Sequence, residues 1–148
     1  MAANLDDVDW AIITQLQQEA RVSLSELGRR VRLSPSAATE RVRRLEALGV
    51  ITGYSATVDL AQAGYPVLAV VRLKYPGNRH QPLHRLLAER HEILECLRTT
   101  GDDCYTLKVA ATSMEHLESL VDELCGFGST TTSVVYSRTL PPRGPRRP

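Results

Sequence analysis

LSELGRRVRLSPSAATERVRRLEALG, residues Leu24 to Gly49, carries the densest structural information in this chain. Leu24, Leu27 and Val31 fall at i, i+3 and i+7, the spacing of one helical face, and Arg29 and Arg30 lie off that stripe. Ser23 is placed to cap this helix with its hydroxyl, and Glu26 three residues on completes a capping box. Arg32-Leu33-Ser34-Pro35 then breaks the periodicity. Pro35 has no amide hydrogen to leave unpaired, so it fits the first turn of a second helix, with Ser34 as its cap. On that helix Ala38, Val42, Leu45 and Gly49 share one face. Ser36, Thr39, Glu40, Arg43 and Arg44 project from the other, with Arg41 on the flank. Two short amphipathic helices joined by a tight turn make a helix-turn-helix.

The chemistry of the polar face points to duplex DNA. Between Arg21 and Arg44 there are seven arginines against only Glu26 and Glu40, so the charge is local although the whole chain has a formal net charge of +1. Guanidinium forks match phosphate oxygens and the acceptor edge of guanine. Small residues at the start of the second helix let it approach base edges closely. The candidate DNA contacts are Arg32, Ser34, Ser36, Ala37, Thr39, Glu40, Arg41, Arg43 and Arg44. The competing reading of any single charged helix is a solvated surface face.

Upstream, Leu5, Val8, Ile12 and Leu16 form the stripe of a further helix that Asp6 caps, and Asp6, Asp7 and Asp9 suit its positive dipole end without any catalytic role. Downstream, Gly49 is the natural helix stop, and Val50 to Val58 alternates and is rich in β-branched residues, which predicts a strand or small wing. From Pro66 the order becomes strand (Val67 to Tyr75), helix (Gln81 to His91), strand (Ile93 to Thr99), strand (Tyr105 to Ala111), helix (Ser113 to Cys125, with Met114, Leu117, Leu120, Val121 and Leu124 inward) and strand (Thr130 to Leu140). The fold class is therefore α+β: an N-terminal winged helix-turn-helix followed by a C-terminal βαββαβ ferredoxin-like domain. The expected divisions are residues 1–52 for DNA binding, 53–65 as hinge strand and linker, 66–140 as the effector-binding and oligomerisation domain, and 141–148 as a disordered, basic, proline-rich tail.

The first strand of the second domain is apolar on both faces, with Val67, Ala69, Val71 and Leu73 on one and Leu68 and Val70 on the other. Two helices cover only one face of a four-stranded sheet, so a second copy of the chain, or else the linker, must cover the other. A two-fold pair of reading helices would also match a palindromic operator. No run is long enough to cross a membrane, and the acidic start MAANLDDVDW lacks the features of a secretory leader, so a cytoplasmic protein is expected. Cys96, Cys104 and Cys125 are odd in number and unpatterned, which argues against a disulfide framework or a CxxC site.

Taken together, Leu5-Asp6 with Asp9 and Ile12-Ile13, Leu16-Gln17 with Arg21, Glu26-Leu27 with Val31, Leu33-Ser34-Pro35, Glu40 to Glu46, Gly49-Val50-Ile51 and Gly53 to Ala56 are highly specific. Over nearly its full length the chain resembles the Lrp/AsnC, or feast/famine, family of transcriptional regulators. The resemblance implies a homodimer, commonly assembled further to octamers, and an amino acid or related metabolite bound by the C-terminal domain. Carried over to this chain, the effector loop is Thr99-Thr100-Gly101-Asp102-Asp103-Cys104-Tyr105, with Thr132 on the last strand nearby; the binding candidates are Thr100, Gly101, Asp102, Asp103, Cys104, Tyr105 and Thr132. A glycine turn offers amides to a carboxylate and an aspartate meets an ammonium, but the same residues also suit a plain solvated turn. Many members have aspartate where this chain has Cys104, and glycine where it has Arg32.

No catalytic residue, cofactor or metal is called for. No nucleophile sits beside a base and no glycine-rich phosphate loop appears, which argues against an enzyme. Two alternatives stay open: a metal sensor using His80, His84, His91 and Cys96, and an effector-independent architectural DNA binder.

Overall fold

The computed structural model describes residues 3–102 and 104–148. It divides into two compact units: residues up to Thr57 together with Leu140–Pro148, and Val58–Thr139.

The first unit is built from α1 (Asp7–Gln18), α2 (Leu24–Arg30) and α3 (Pro35–Ala47). Each helix starts where the sequence places a cap: Asp6 accepts from the amide of Asp9, Ser23 from that of Glu26 and Ser34 from that of Ala37. The reciprocal capping box forms on α1, between Asp6 and Asp9, and not on α2 as expected. On α2 the Glu26 carboxylate instead turns to Arg29 and Arg30, whose charges compete successfully with a neutral amide. Ile12, Ile13, Leu27, Val42 and Leu45 form the core, with Leu5, Val8, Leu16, Val31, Leu33, Val50 and Ile51 packed around it. Close packing of α2 on α3 depends on Gly28. A Cβ there would lie 2.9 Å from the Leu33 carbonyl oxygen, so a larger residue would force the turn apart.

Gly49, at φ 68°, ends α3 as its position in the sequence requires. The strand or wing expected over Val50–Val58 is not present: none of these residues joins a ladder within the chain. Alternation supplies the pattern of a strand, but a strand also needs a neighbour to receive its amides, and this segment has none in a single copy.

The second unit runs β1 (Val67–Lys74), α4 (Gln81–Glu89), β2 (Ile93–Arg98), β3 (Tyr105–Ala111), α5 (Met114–Cys125) and β4 (Ser129–Val134). The four strands are antiparallel in the order β2-β3-β1-β4, the ferredoxin-like arrangement. Ala69, Val71 and Leu73 of β1 and Leu107, Val109 and Ala111 of β3 are buried with Leu83 of α4 and Leu117, Leu120 and Leu124 of α5. Two expectations are corrected here. The last strand stops at Val134 rather than Leu140, because β1 ends: Val134 already faces Ala69, and one further bond, from the Val135 amide to the Leu68 carbonyl at 2.8 Å, exhausts the ladder. Met114 is 56% exposed rather than inward, since the packed stretch of α5 begins only at Leu117.

The other sheet face carries no helix. Leu68, Val70, Leu97 and Val135 line a shallow depression of about 220 Å³ there, with Lys108 and Glu95 at its rim. No helix of the described residues is long and apolar enough to cross a membrane.

Candidate nucleic-acid interface

The arginines of α2 and α3 fall into two groups. Arg41 donates to Asp6 at 2.5 Å and to Asp9 at 3.0 Å, and Arg44 donates to the second oxygen of Asp9 at 3.0 Å. Asp9 is fully buried and also accepts the Asp6 amide at 3.2 Å, so its carboxylate is completely satisfied. The Arg41 guanidinium, helped by the Asp9 amide, holds the Asp6 carboxyl below its usual range. On α2, Arg29 at 2.7 Å and Arg30 at 2.9 Å share Glu26, and they push its carboxyl down to about 2; Arg30 also reaches Glu19 at 2.8 Å. Four of the seven arginines are thus engaged in ion pairs: Arg30, Arg41 and Arg44 link one helix to another, and Arg29 pairs within α2.

Arg21, Arg32 and Arg43 remain, exposed and without an ion pair among the described residues. Arg43 stands on the solvent face of α3 one turn beyond the exposed Glu40, which is also unpaired among the described residues. Arg32 occupies the turn with φ 59°, the left-handed region in which a side chain costs backbone energy that glycine avoids. The small residues at the start of α3 are partly occupied. Ser34 caps Ala37 and lies 3.1 Å from the Ser36 hydroxyl, and Thr39 donates back to the Pro35 carbonyl at 2.8 Å. Ala37 is half-buried. The face that α3 presents to solvent is therefore short and flat at its start, with Glu40 and Arg43 as its free charged groups.

The buried role of Asp9 went unread in the sequence. A signal was available: acids at Asp6 and Asp9 are spaced i, i+3 on α1, and Arg41 and Arg44 are spaced i, i+3 on α3, the pattern of two facing pairs.

In the second unit Thr100, Gly101 and Asp102 are exposed between β2 and β3. Gly101 has φ 103°, and the loop is closed by a bond from the Thr99 amide to the Cys104 carbonyl at 2.9 Å. Asp102 lies 3.8 Å from the Lys74 ammonium. Asp103 lies outside the described residues. Cys104 and Tyr105 turn under the loop: the Cys104 thiol receives the Tyr75 amide at 3.4 Å, and the Tyr105 hydroxyl lies 2.8 Å from His80 and 3.5 Å from His84. Thr132 stands opposite Val71 on the exposed edge strand β4. Cys96 packs against the core, and burial pushes its thiol up, whereas His91 is exposed. His80 and His84 thus meet at the Tyr105 hydroxyl, with ring centroids 6.2 Å apart, but no group of three metal-ligating side chains occurs among the described residues.

Residues 5–46 match the AsnC-type helix-turn-helix domain, and residues 68–145 match the Lrp/AsnC ligand binding domain. The chain belongs to the Lrp/AsnC family of transcriptional regulators. The family's DNA-binding helix-turn-helix is α2 and α3 of this chain. Among its relatives, the HTH-type transcriptional regulator LrpC of Bacillus subtilis is 35% identical over 133 residues, covering 90% of this chain and 92% of its own. The solved structure of that protein superposes with a TM-score of 0.88 at 34% identity, over 92% of this chain and 97% of the other. A feast or famine regulatory protein from Mycobacterium tuberculosis, solved in complex with L-methionine, superposes with a TM-score of 0.89 at 29% identity, over 97% of this chain and all of the other. These relatives are regulators, a role that involves no catalysis.

Proposed function

We propose that this Lrp/AsnC regulator reads a palindromic operator as a homodimer, inserting α3 into the major groove, and that an amino acid bound by the C-terminal domain adjusts its assembly or DNA affinity. The observation that carries the reading is the division of charge on α3. With Arg41 and Arg44 committed to Asp9, the unpaired Glu40 and Arg43 are the charged groups free to meet bases. Arginine matches the O6 and N7 acceptors of guanine, and a glutamate accepts from the amino group of cytosine. Ser34, Ser36, Ala37 and Thr39 allow close approach, and Arg32 supplies a phosphate contact from the turn. Arg41 and Arg44 act from behind, as groups that set the angle of α3.

The open sheet face supports pairing with a second copy. Leu68, Val70, Leu97 and Val135 form an apolar surface whose rim charges, Lys108 and Glu95, can meet their opposites across a two-fold axis. Higher assembly, up to octamers, follows family precedent.

Effector binding is supported by the L-methionine complex of the structural neighbour and by the exposed Thr100-Gly101-Asp102 turn. In this chain the Cys104 thiol faces the Tyr75 amide, and the exposed Asp102, 3.8 Å from the Lys74 ammonium and with Asp103 beside it in sequence, is the carboxylate proposed to exchange that cation for the effector's ammonium group. Thr132 and the Tyr105 ring complete the proposed surroundings.

The test is binding of the full chain to its own promoter and to random duplex of equal length, with and without each common amino acid at millimolar concentration. A marked operator preference that at least one amino acid changes is expected. Equal affinity for both duplexes would favour the architectural reading, and a melting temperature unmoved by every amino acid would remove the effector.

A further inference from the structure

The last twenty-five residues contain no acidic side chain, and they end in PPRGPRRP, with Arg143, Arg146 and Arg147. This segment does not stay with the sheet that precedes it. Residues from Leu140 onward pack with the helix-turn-helix unit. Gln17 of α1 donates to the Pro145 carbonyl at 3.3 Å, and Arg147 pairs with the carboxylate of Asp7 at the start of α1. The Gly144 backbone lies so close to the Gln17 amide that a Cβ there would sit 2.2 Å from its nitrogen. The end of the tail, Arg147 and Pro148, closes one side of a cavity of about 560 Å³ against Leu5, Trp10 and Val50. Arg143 and Arg146 are exposed, with no ion pair among the described residues.

We propose that this tail is a second DNA contact, a cationic arm carried on the reading unit, in which Arg143 and Arg146 take phosphate oxygens and Gln17 and Asp7 tether the arm to α1. The proposal rests on the reading of α3 as the DNA-reading helix and adds a sequence-independent term to it. Prolines at 141, 142, 145 and 148 keep the segment extended, so little chain entropy remains to be lost when it lies along a backbone. One exposed ion pair to Asp7 is a weak hold. A duplex presents far denser negative charge and releases counterions for each phosphate neutralised, so the unpaired Arg143 and Arg146 gain by meeting it while the Gln17 bond and the Arg147 pair with Asp7 keep the arm on α1.

The test uses the full chain and the double variant Arg143→Ala/Arg146→Ala, titrated with operator and with random duplex across a range of salt. The variant should keep the wild-type melting temperature and the wild-type ratio of operator to random affinity. It should lose on the order of tenfold or more in affinity for both duplexes, and the homodimer's log-affinity against log-salt slope should be shallower by about 3.6, the value for two phosphate contacts from each of two chains. An unchanged slope with unchanged affinity would overturn the proposal. So would tighter binding by the variant, which would make the tail an inhibitory strap. Because the readout on random duplex does not involve base recognition, it stands apart from the α3 reading. Failure of that reading would show instead as a wild-type protein without operator preference.

Discussion

The two units solve the problem of a small core in opposite ways. The helix-turn-helix unit has only a handful of fully buried aliphatic side chains and fastens its helices with ion pairs, above all the buried Asp9 held by Arg41 and Arg44. The second unit closes one sheet face with α4 and α5 and needs no buried charge, but it leaves the opposite face apolar and uncovered. Charge in the first unit therefore serves shape as well as the proposed recognition, and the apolar surface of the second is left free for the proposed association.

The largest effect is expected at Asp9. Asp9→Ala leaves two guanidinium groups facing a buried void, and breaking a buried ion pair of this kind costs about 3 kcal/mol, with some relief because both arginines are partly exposed to water. Calorimetry should show the unfolding of the N-terminal unit moving down while that of the sheet unit holds. A common shift of both would mean that the ion-pair clamp is not what separates them. Next in size is Leu97→Asp on the open face. A charge there should convert the proposed dimer to a folded monomer, read by light scattering and circular dichroism, and an unchanged mass would show that this face does not join two copies.

Acid should also act on the first unit selectively. Asp6 and Glu26 have folded pKa values below their unfolded ones, so their contribution is present above about pH 4.3 and is lost as the pH falls through the folded values, toward about 2 for Glu26. Glu26→Gln should flatten part of that acid dependence in the N-terminal transition; an identical acid profile would show that Arg29 and Arg30 gain nothing from Glu26. The smallest effect is Arg32→Gly, which relieves the φ 59° turn and should raise stability by about 1 kcal/mol while lowering DNA affinity through the lost cation.

Much of this was legible in the sequence because local rules set it. The caps at Asp6, Ser23 and Ser34, the Pro35 helix start, the Gly49 stop and the order of strands and helices all follow from near neighbours in the chain. What escaped depends on partners far along the chain or outside it. Val50–Val58 has strand chemistry but no strand neighbour, the end of β4 is set by the length of β1, and the pairing of Arg41 and Arg44 is decided 32 and 35 residues away at Asp9. The residues of the proposed effector loop are neighbours in the sequence, but only geometry showed the Cys104 thiol turned inward toward Tyr75.

The central claim is that α3 separates arginines that hold from an arginine that reads. It is tested most directly by measuring operator affinity and melting temperature for Arg43→Ala and Arg41→Ala side by side. Arg43→Ala should keep the wild-type melting temperature and lose about 1–3 kcal/mol of operator binding per half-site, with relaxed preference at one base pair in each. Arg41→Ala should melt the N-terminal unit at lower temperature and yet, below that temperature, keep the base preference. The reverse pattern, an unstable Arg43→Ala that still prefers the operator beside a stable Arg41→Ala that does not, would contradict the account.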